Sequence, residues 1–552
     1  MRGDQLKEES ETKYDVIIVG LGPTGAVLAN ILGKYGHSVG IFEREEDLYY
    51  APRAVHFDDE IMRIFQAIGL WKEIHSTSEA FKNMEFHLKP KGKPIFTQKI
   101  GNQDNKYGHE GAFWFHQPTL ELQLRNGLKR FSSVVSHLGY EVKEISPNID
   151  YVKVSCKNKK GNQITASGKY LIGCDGGKSA IRKYMQIGLH TADFDESWVV
   201  IDTKTRSGQK ESSLPKVHIQ VCNPKQPVTY VPLAGPYYEW QFMTVGDRSE
   251  KQATDPSFVR EQLREFVDLN LIEINRIAYY KFHGLWAKQW KNGRVLLAGD
   301  SAHQMPPFLG QGMCSGVRDA HNLGWKLHLV LTGKADDQFL DSYEQERSPH
   351  VQSVIKGAML LGRLIQTKNK FVAFFRNNFL FRLGRLVPFY GNIIYKLANR
   401  KRPLQEGIFG KNRKRLAGHL IIQPKVSVKN GDPVLFDSLI GDHFVILTRD
   451  DQLKHYRSSI TELSCLIPLK EISFNSVSYA EAIQDTEGKF KKLFDQHNLD
   501  FVIIRPDRYV FDGGKKEEFP FVSNHLIRQI SVRSAITSKM EIKQEETAGR
   551  SL

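Results

Sequence analysis

The order of apolar and polar positions divides the chain into short apolar runs ending in glycine and an acid, and longer stretches whose apolar residues recur at helical spacing. Near the start, YDVIIVGLGPTGAVLANILGKYGHSVGIFERE predicts a strand at Val16–Val19, a glycine turn, and a helix from Ala26 to Tyr35. A second strand follows from Ser38 to Phe42 and ends at Glu43. KYLIGCDGGKSAIRKYMQIGL repeats the design, with Tyr170–Ile172 leading into Gly173-Cys174-Asp175-Gly176 and then helix-like SAIRKYMQ. GRVLLAGDSAHQMPPFLGQGMCSGVRDAHNLGWKL gives it a third time. There a strand at Val295–Ala298 breaks at Gly-Asp, and a helix restarts after Gly-Gln-Gly. Between the second and third units, Lys216–Val221, Val228–Pro232 and Glu239–Val245 alternate as strands of a sheet. Later, His443–Thr448 and Phe501–Arg505 read as strands around helix-like DTEGKFKKLFDQHN.

The first unit carries chemistry. Gly20, Gly22 and Gly25 make GxGxxG between a strand and a helix, and Glu43 follows Gly25 by 18 residues. Gly20 permits the tight turn, and Gly22 lets a pyrophosphate approach the backbone. Gly25 lets helix and strand pack closely, and Glu43 can accept hydrogen bonds from a ribose hydroxyl pair. That carboxylate disfavours a 2′-phosphate, so these residues leave NAD and FAD open. Three strand–Gly–acid units are more than a simple NAD dehydrogenase needs, and they favour a large, extended ligand. Helix starts after glycine also offer N–H groups and a positive dipole end to something anionic.

Composition narrows the class. A chain of 552 residues, 40% hydrophobic, can bury several cores. No apolar run approaches the roughly 20 residues of a membrane span. The polar start has no apolar h-region and reads as a flexible leader over 1–13. Five cysteines form no CxxC, zinc or disulfide pattern, which fits a reducing cytoplasm. The chain has 77 Lys and Arg against 62 Asp and Glu, net +15. Between Arg363 and Arg415, 14 basic residues face one acid, Glu406. FVAFFRNNFLFRLGRLVPFYGNIIYKLANRKR interleaves them with aromatics. Two readings follow: a weak contact with an anionic membrane surface, and packed helices with a solvated basic face. No nucleic-acid motif accompanies it.

GxGxxG with Glu43, CDGGKSAIR, and AGDSAHQMPPFLGQGMCSGVRDAHNLGWKL occur in the order seen in class A flavoprotein aromatic monooxygenases, which the chain resembles from about Tyr14 to Gly513. PRAVHFDDEIMRIFQAIGL, FHQPTLE and HQMPPFLGQGM are most similar to the 3-(3-hydroxyphenyl)propionate hydroxylase group. The resemblance implies an α/β, Rossmann-like FAD-binding fold over 14–190 and 286–362, with an inserted substrate-binding β-sheet over 191–285. It further implies a C-terminal thioredoxin-like domain over 416–533. There a lone cysteine, Cys465, leaves the domain a scaffold for homodimerisation or packing. A basic helical segment spans 363–415, and a disordered tail is expected over 534–552.

By the same resemblance, FAD is held by Gly20, Gly22, Pro23, Thr24, Gly25, Glu43 and Arg44 at its ADP half. Arg53 and Gln117 fall at its pyrophosphate and ribityl chain, as does Asp300. Asp175 lies near both FAD and a transient NADH or NADPH. The turn Pro307, Gly310, Gln311, Gly312 and Met313 faces the ring. The implied reaction is ortho-hydroxylation of a phenolic substrate by dioxygen through a flavin C4a-hydroperoxide. A tailoring hydroxylase of polycyclic aromatics shares this domain order, and a non-catalytic flavin-binding, membrane-associated protein is the reading outside enzymes. Pro307, through its carbonyl, and His56 and His303 are the candidates for handling the phenolic proton. YYEWQF departs from the pattern, placing Glu239 where the family is expected to carry arginine before Trp240.

Overall fold

The computed structural model describes residues 11–48, 54–100, 105–246, 248–382, 403–410, 415–429, 431–449, 453–474 and 482–531. Arg53, the tail 534–552 and much of the leader and of the basic segment lie outside them. The chain forms two compact units. One comprises 1–105, 109–320 and 351–401; the other comprises 106–108, 321–350 and 402–552.

The first unit opens with β1 (Thr12–Val19), α1 (Pro23–Lys34) and β2 (Val39–Glu43). A short strand β3 (His56–Asp58) leads into α2 (Asp59–Ala67), and β4 (Ala112–Trp114) precedes α3 (Gln117–Leu128). β5 (Val134–Leu138) and β6 (Gln163–Gly173) follow, then α4 (Ala180–Tyr184). Next come the long β7 (Leu189–Thr205), β8 (His218–Val221), β9 (Val228–Pro232), β10 (Tyr237–Met243) and β11 (Ile272–Ala287). β12 (Val295–Leu297) ends this series, and two helices follow, α5 (Gly312–Leu331) and α6 (Asp341–Ile365), of which residues 321–350 belong to the second unit.

Strands β12–β6–β1–β2–β5 run parallel in that order. Val16, Ile17 and Ile18 are wholly buried, as a parallel sheet covered on both faces requires of a continuous apolar run. The order explains the threefold motif. β1, β6 and β12 are neighbours, with Val19 opposite Gly173 and Gly173 opposite Leu297. Their carboxyl ends therefore deliver Gly20, Asp175 and Asp300 to one edge, the place where open α/β sheets bind ligands.

The second sheet is mostly antiparallel, with β11–β7–β10–β9–β8 at its centre. It also takes in Asn83–His87 and Phe96–Lys99 at one side and His303–Gln304 at the other. The alternation between residues 191 and 285 had not shown these strands. β8 starts at His218 rather than Lys216, and β10 runs two residues earlier than its pattern suggested. One face buries Val199, Ile201, Trp240 and Phe242 against Val259 and Leu263 of helix Pro256–Arg264. The opposite face carries Trp198, Asp202, Val231 and Glu239, because strand side chains alternate.

The second unit holds a mixed sheet containing β13 (Phe444–Arg449), then α7 (Arg457–Leu466) and β14 (Leu469–Phe474). α8 (Lys489–His497), β15 (Phe501–Ile504), β16 (Val510–Gly514) and α9 (Phe519–Ile530) complete it. β14 and β13 are parallel, β15 is antiparallel to β13, and β16 to β15. Val445, Leu447, Phe474, Phe490 and Phe494 fill its core. Cys465 is exposed on α7, and all five cysteines are free thiols. A buried ion cluster also lies within this unit. Arg505 donates to both oxygens of Glu346 at 2.8 Å, Lys326 sits 2.9 Å from Glu346, and Asn322 donates to it at 2.6 Å.

Candidate active site

β1 ends at Gly20, whose φ of +101° suits glycine; a β-carbon there would lie 2.3 Å from the Cys174 carbonyl oxygen. A β-carbon on Gly25 would lie 2.1 Å from the Gly20 oxygen, so α1 packs directly on the turn. Gly22 differs: nothing lies within 4 Å of its added carbon. It begins α1 without a side-chain cap, leaving the N–H groups of the first turn free of a side-chain acceptor. Glu43 steadies this loop from the next strand, accepting from Leu21 N–H at 2.7 Å through Oε2 and from Glu45 N–H at 3.0 Å through Oε1. Arg125 of α3 donates to the Leu21 carbonyl at 3.4 Å. Arg44 is exposed beside Glu45 at 3.3 Å.

The two other strand ends interlock with this one. Asp175 Oδ2 caps α4, accepting from Ala180 and Ile181 N–H at 2.6 and 3.1 Å, while its Oδ1 is buried without a hydrogen-bond partner. Arg182 ties the second motif to the third, donating to the Ser301 and Gly177 carbonyls at 2.7 and 2.9 Å. Thr24 of α1 fills the space that β-carbons on Gly299 and Gly316 would need, at 2.6 and 2.2 Å from its Oγ1. Asp300 is exposed in the turn after β12. Asp319 of α5 accepts from Gly299 N–H at 3.0 Å and meets His303 Nε2 at 2.7 Å. His303 is wholly enclosed, its ring 5.3 Å from that of Trp290.

The turn before α5 is built against β3. Pro307 accepts from Gly310 N–H at 2.7 Å, and Gly310 adopts φ +57°. Arg318, in the second turn of α5, is buried between two acids: Nη2 donates to Asp58 at 2.5 Å and Nε to Glu60 at 2.8 Å. Its Nη1 donates to the Gln311 side chain at 2.9 Å, which fixes the Gly310-Gln311-Gly312 turn at the helix start. Met313 occupies the first turn of α5. His56 lies under Gly310, edge-on to Phe81 with 6.0 Å between centroids. Burial pushes its pKa below the ordinary histidine value, and the nearby Asp58 only partly offsets this. Gln117, at the start of α3, accepts from Ala54 N–H at 2.8 Å and donates to Glu121 at 2.7 Å.

The inserted sheet meets this turn through Trp198, whose ring centroid is 6.2 Å from that of Phe308. Farther along that face, Glu239 is opposite Asp202, and Asp202 is opposite Arg276, with an ion pair of 3.1 Å. Burial raises the pKa of both acids; the Asp202 carboxylate raises that of Glu239 further, while Arg276 opposes the shift in both. The residue that departed from pattern is thus part of a buried polar row.

The structure brings together Gly20, Gly22, Pro23, Thr24, Gly25, Glu43, Asp175 and Asp300 at one sheet edge. It gathers His56 with Pro307, Gly310, Gln311 and Gly312 at the turn before α5. FAD fits these residues: an open α-carbon at Gly22, an uncapped helix start and an orphaned Asp175 oxygen all await a polar ligand. Asp58, Glu60, Arg318 and Asp319 were missed. The one available signal was the adjacent pair Arg318-Asp319 inside a helix whose period is otherwise apolar.

The FAD binding domain family matches residues 13–358, and the HcaD C-terminal domain family matches 418–529. The chain belongs to this FAD-binding family and is an FAD-dependent aromatic monooxygenase. It is 30% identical over 513 residues to the 3-(3-hydroxy-phenyl)propionate/3-hydroxycinnamic acid hydroxylase of Escherichia coli O139:H28, covering 90% of this chain and 91% of that one. In fold it is similar to the flavin-dependent monooxygenase PieE, solved with FAD and substrate (TM-score 0.78, 20% identity, 94% and 99% coverage). It is also similar to the anhydrotetracycline hydroxylase OxyS from Streptomyces rimosus (TM-score 0.73, 21% identity, 94% and 99% coverage). Among the described residues, no helix is long and apolar enough to cross a membrane.

Proposed function

We propose that this enzyme hydroxylates a phenolic substrate ortho to its hydroxyl, taking electrons from NADH or NADPH and one oxygen atom from dioxygen. The supporting observation is the convergence of three strand ends and the Gly310 turn beneath an aromatic-lined sheet face. FAD, when bound, supplies the activation of dioxygen, with the second oxygen atom leaving as water. Gly22 and the start of α1 hold the pyrophosphate, Glu43 the adenosine ribose, and Asp300 the ribityl side. The N–H groups of Gln311 and Gly312, backed by the positive end of α5, would stabilise negative charge on the ring. Arg318 acts through Gln311 as a positioning residue.

His56, kept neutral by burial, is the base assigned to the phenolic proton. The Pro307 carbonyl retains a second lone pair beside the one engaged by Gly310. Enclosed His303 braces Asp319 and the Gly299 turn. The relative's printed substrate supports a phenol carrying a short side chain. The test is NAD(P)H consumption by FAD-loaded enzyme across a phenol panel. A rise with phenol and a catechol product is expected; constant consumption yielding only hydrogen peroxide overturns the reading.

We further propose a weak contact with anionic membrane surfaces. Phe371, Phe374 and Phe375 of helix Lys370–Phe375 are 86%, 63% and 61% exposed, flanked by Lys368, Lys370 and Arg382. Exposed aromatics among cations suit a lipid headgroup layer. Pelleting with phosphatidylserine vesicles at physiological salt, lost in Phe371→Glu/Phe375→Glu, is expected; failure of the wild type to pellet overturns it.

A further inference from the structure

The buried row Glu239–Asp202–Arg276 crosses three strands on the sheet face that looks toward the Gly310 turn. Its direction follows from register. Directly opposed residues of an antiparallel pair share a face, and Glu239 is opposite both Val231 and Asp202. Val231 packs with Phe81 and Trp114 rather than with the core behind the sheet. Phe81 touches His56, and His56 touches Gly310. Trp198, four residues before Asp202 and so on the same side, packs on Phe308 of that turn. A substrate lying between sheet and turn therefore has this row at its far end.

The row is built to be neutral and to offer both a donor and an acceptor. Two enclosed carboxyl groups, Glu239 and Asp202 at 1% and 5% exposure, stand beside one partly buried guanidinium. Two buried carboxylates so close cannot both ionise, and burial has already raised the pKa of each, so one proton stays between them. One remaining negative charge balances Arg276. Gln241 donates to Glu239 at 2.5 Å, and Arg276 Nη2 donates to the Tyr280 hydroxyl at 2.6 Å. Arg276 Nη1 is enclosed without a hydrogen-bond partner.

We infer that Glu239, Asp202 and Arg276 form a subsite for a neutral substituent that both accepts and donates hydrogen bonds, such as a carboxamide or hydroxyl, and that they discriminate against a carboxylate. An amide carbonyl accepts from Arg276 Nη1, and its N–H donates to the Asp202 carboxylate. A carboxylate has no proton to give and meets an acid pair instead, a juxtaposition that disfavours binding. This subsite rests on the phenol hydroxylase reading for the placement of its ligand.

The test uses FAD-loaded, full-length enzyme and three phenols of matched size: 3-(3-hydroxyphenyl)propionate, its primary amide, and 3-(3-hydroxyphenyl)propan-1-ol, with m-cresol as the ligand without a polar tail. Binding is followed by the change in flavin absorbance, so the preference is decided whether or not a compound is turned over. The amide and alcohol should bind at least about tenfold more tightly than the propionate, a difference of about 1.4 kcal/mol. Asp202→Asn should bring the amide and propionate to within about threefold. Glu239→Gln, which replaces a protonated acid by its neutral isostere, should keep the wild-type order. Propionate binding as tight as amide binding, or an unmoved ratio in Asp202→Asn, overturns the subsite even where m-cresol is hydroxylated. Hydrogen peroxide as the sole product from every phenol overturns the hydroxylase reading, while the binding ratios still judge the subsite.

Discussion

A β-carbon on Gly310 would lie 2.0 Å from His56 Cε1, so the turn before α5 and the strand β3 are in contact where only hydrogen fits. Gly310→Ala meets two obstacles. Its φ of +57° costs a side-chain-bearing residue about 1–2 kcal/mol, and the imidazole must also move. The variant should retain less than about a tenth of its bound flavin, read as the ratio of flavin to protein absorbance. Gly310→Ala/His56→Ala should recover part of it, because the overlap is removed while the backbone strain stays. Full flavin content in the single variant contradicts the packing.

Gly22 and Gly25 should fail differently. Gly22→Ala enters open space at φ −73°, so thermal stability without FAD should stay within about 0.5 kcal/mol of wild type while FAD affinity drops. Gly25→Ala collides with the backbone of Gly20 and should lower the stability of the cofactor-free protein itself. Differential scanning fluorimetry with and without added FAD separates the two. Equal loss of apo stability in both refutes the assignment of Gly22 to the pyrophosphate.

Removing Arg318 strands two buried acids. Arg318→Met should cost about 3–5 kcal/mol in urea unfolding, because breaking a buried ion pair leaves uncompensated charge. Combining it with Asp58→Asn and Glu60→Gln should restore most of that loss. Flavin content should follow the single variant downward through the released Gln311. A triple variant no more stable than Arg318→Met contradicts the account.

Acid should weaken the second unit through Glu346. Burial alone would raise its pKa, but Arg505 and Lys326 override burial and hold it well below the usual carboxylate range. A carboxylate depressed in the folded state contributes stability in full above its unfolded pKa of about 4.3, and loses it as pH falls further. Urea midpoints measured from pH 6 to pH 3 should therefore decline most steeply below about pH 4.5. Glu346→Gln should be less stable at pH 6 and flatter across the acid range. Parallel curves for the two proteins would count against the cluster.

How much the sequence disclosed depends on the separation of the partners. Gly20, Gly22, Gly25 and Glu43 act within 24 residues of one another, and their spacing alone defines a turn, a helix start and a neighbouring strand. The convergence of Gly20, Asp175 and Asp300 needed only the repeated strand–Gly–acid design and a parallel sheet. Pairing between Arg318 and Asp58 joins residues 260 apart, and no local period signals it. His303 read as a candidate base because histidine chemistry is visible in sequence and enclosure is not. The strand Asn83–His87 was hidden for a related reason, since its ladder partner β8 lies far away in the chain, while His303–Gln304 is only two residues long and leaves no alternation to read. Glu239 was noticed as a departure, but only the registers of β7, β10 and β11 reveal that it stands in line with Asp202 and Arg276.

The seating of Trp198 on Phe308 gives the protein an optical gauge of its own. Indole emission overlaps flavin absorption, so energy passing from that ring to a cofactor beside the Pro307 turn would dim its fluorescence. Loading could then be followed during purification without label or turnover, and Trp198→Phe would show how much of the quenching originates at this one ring.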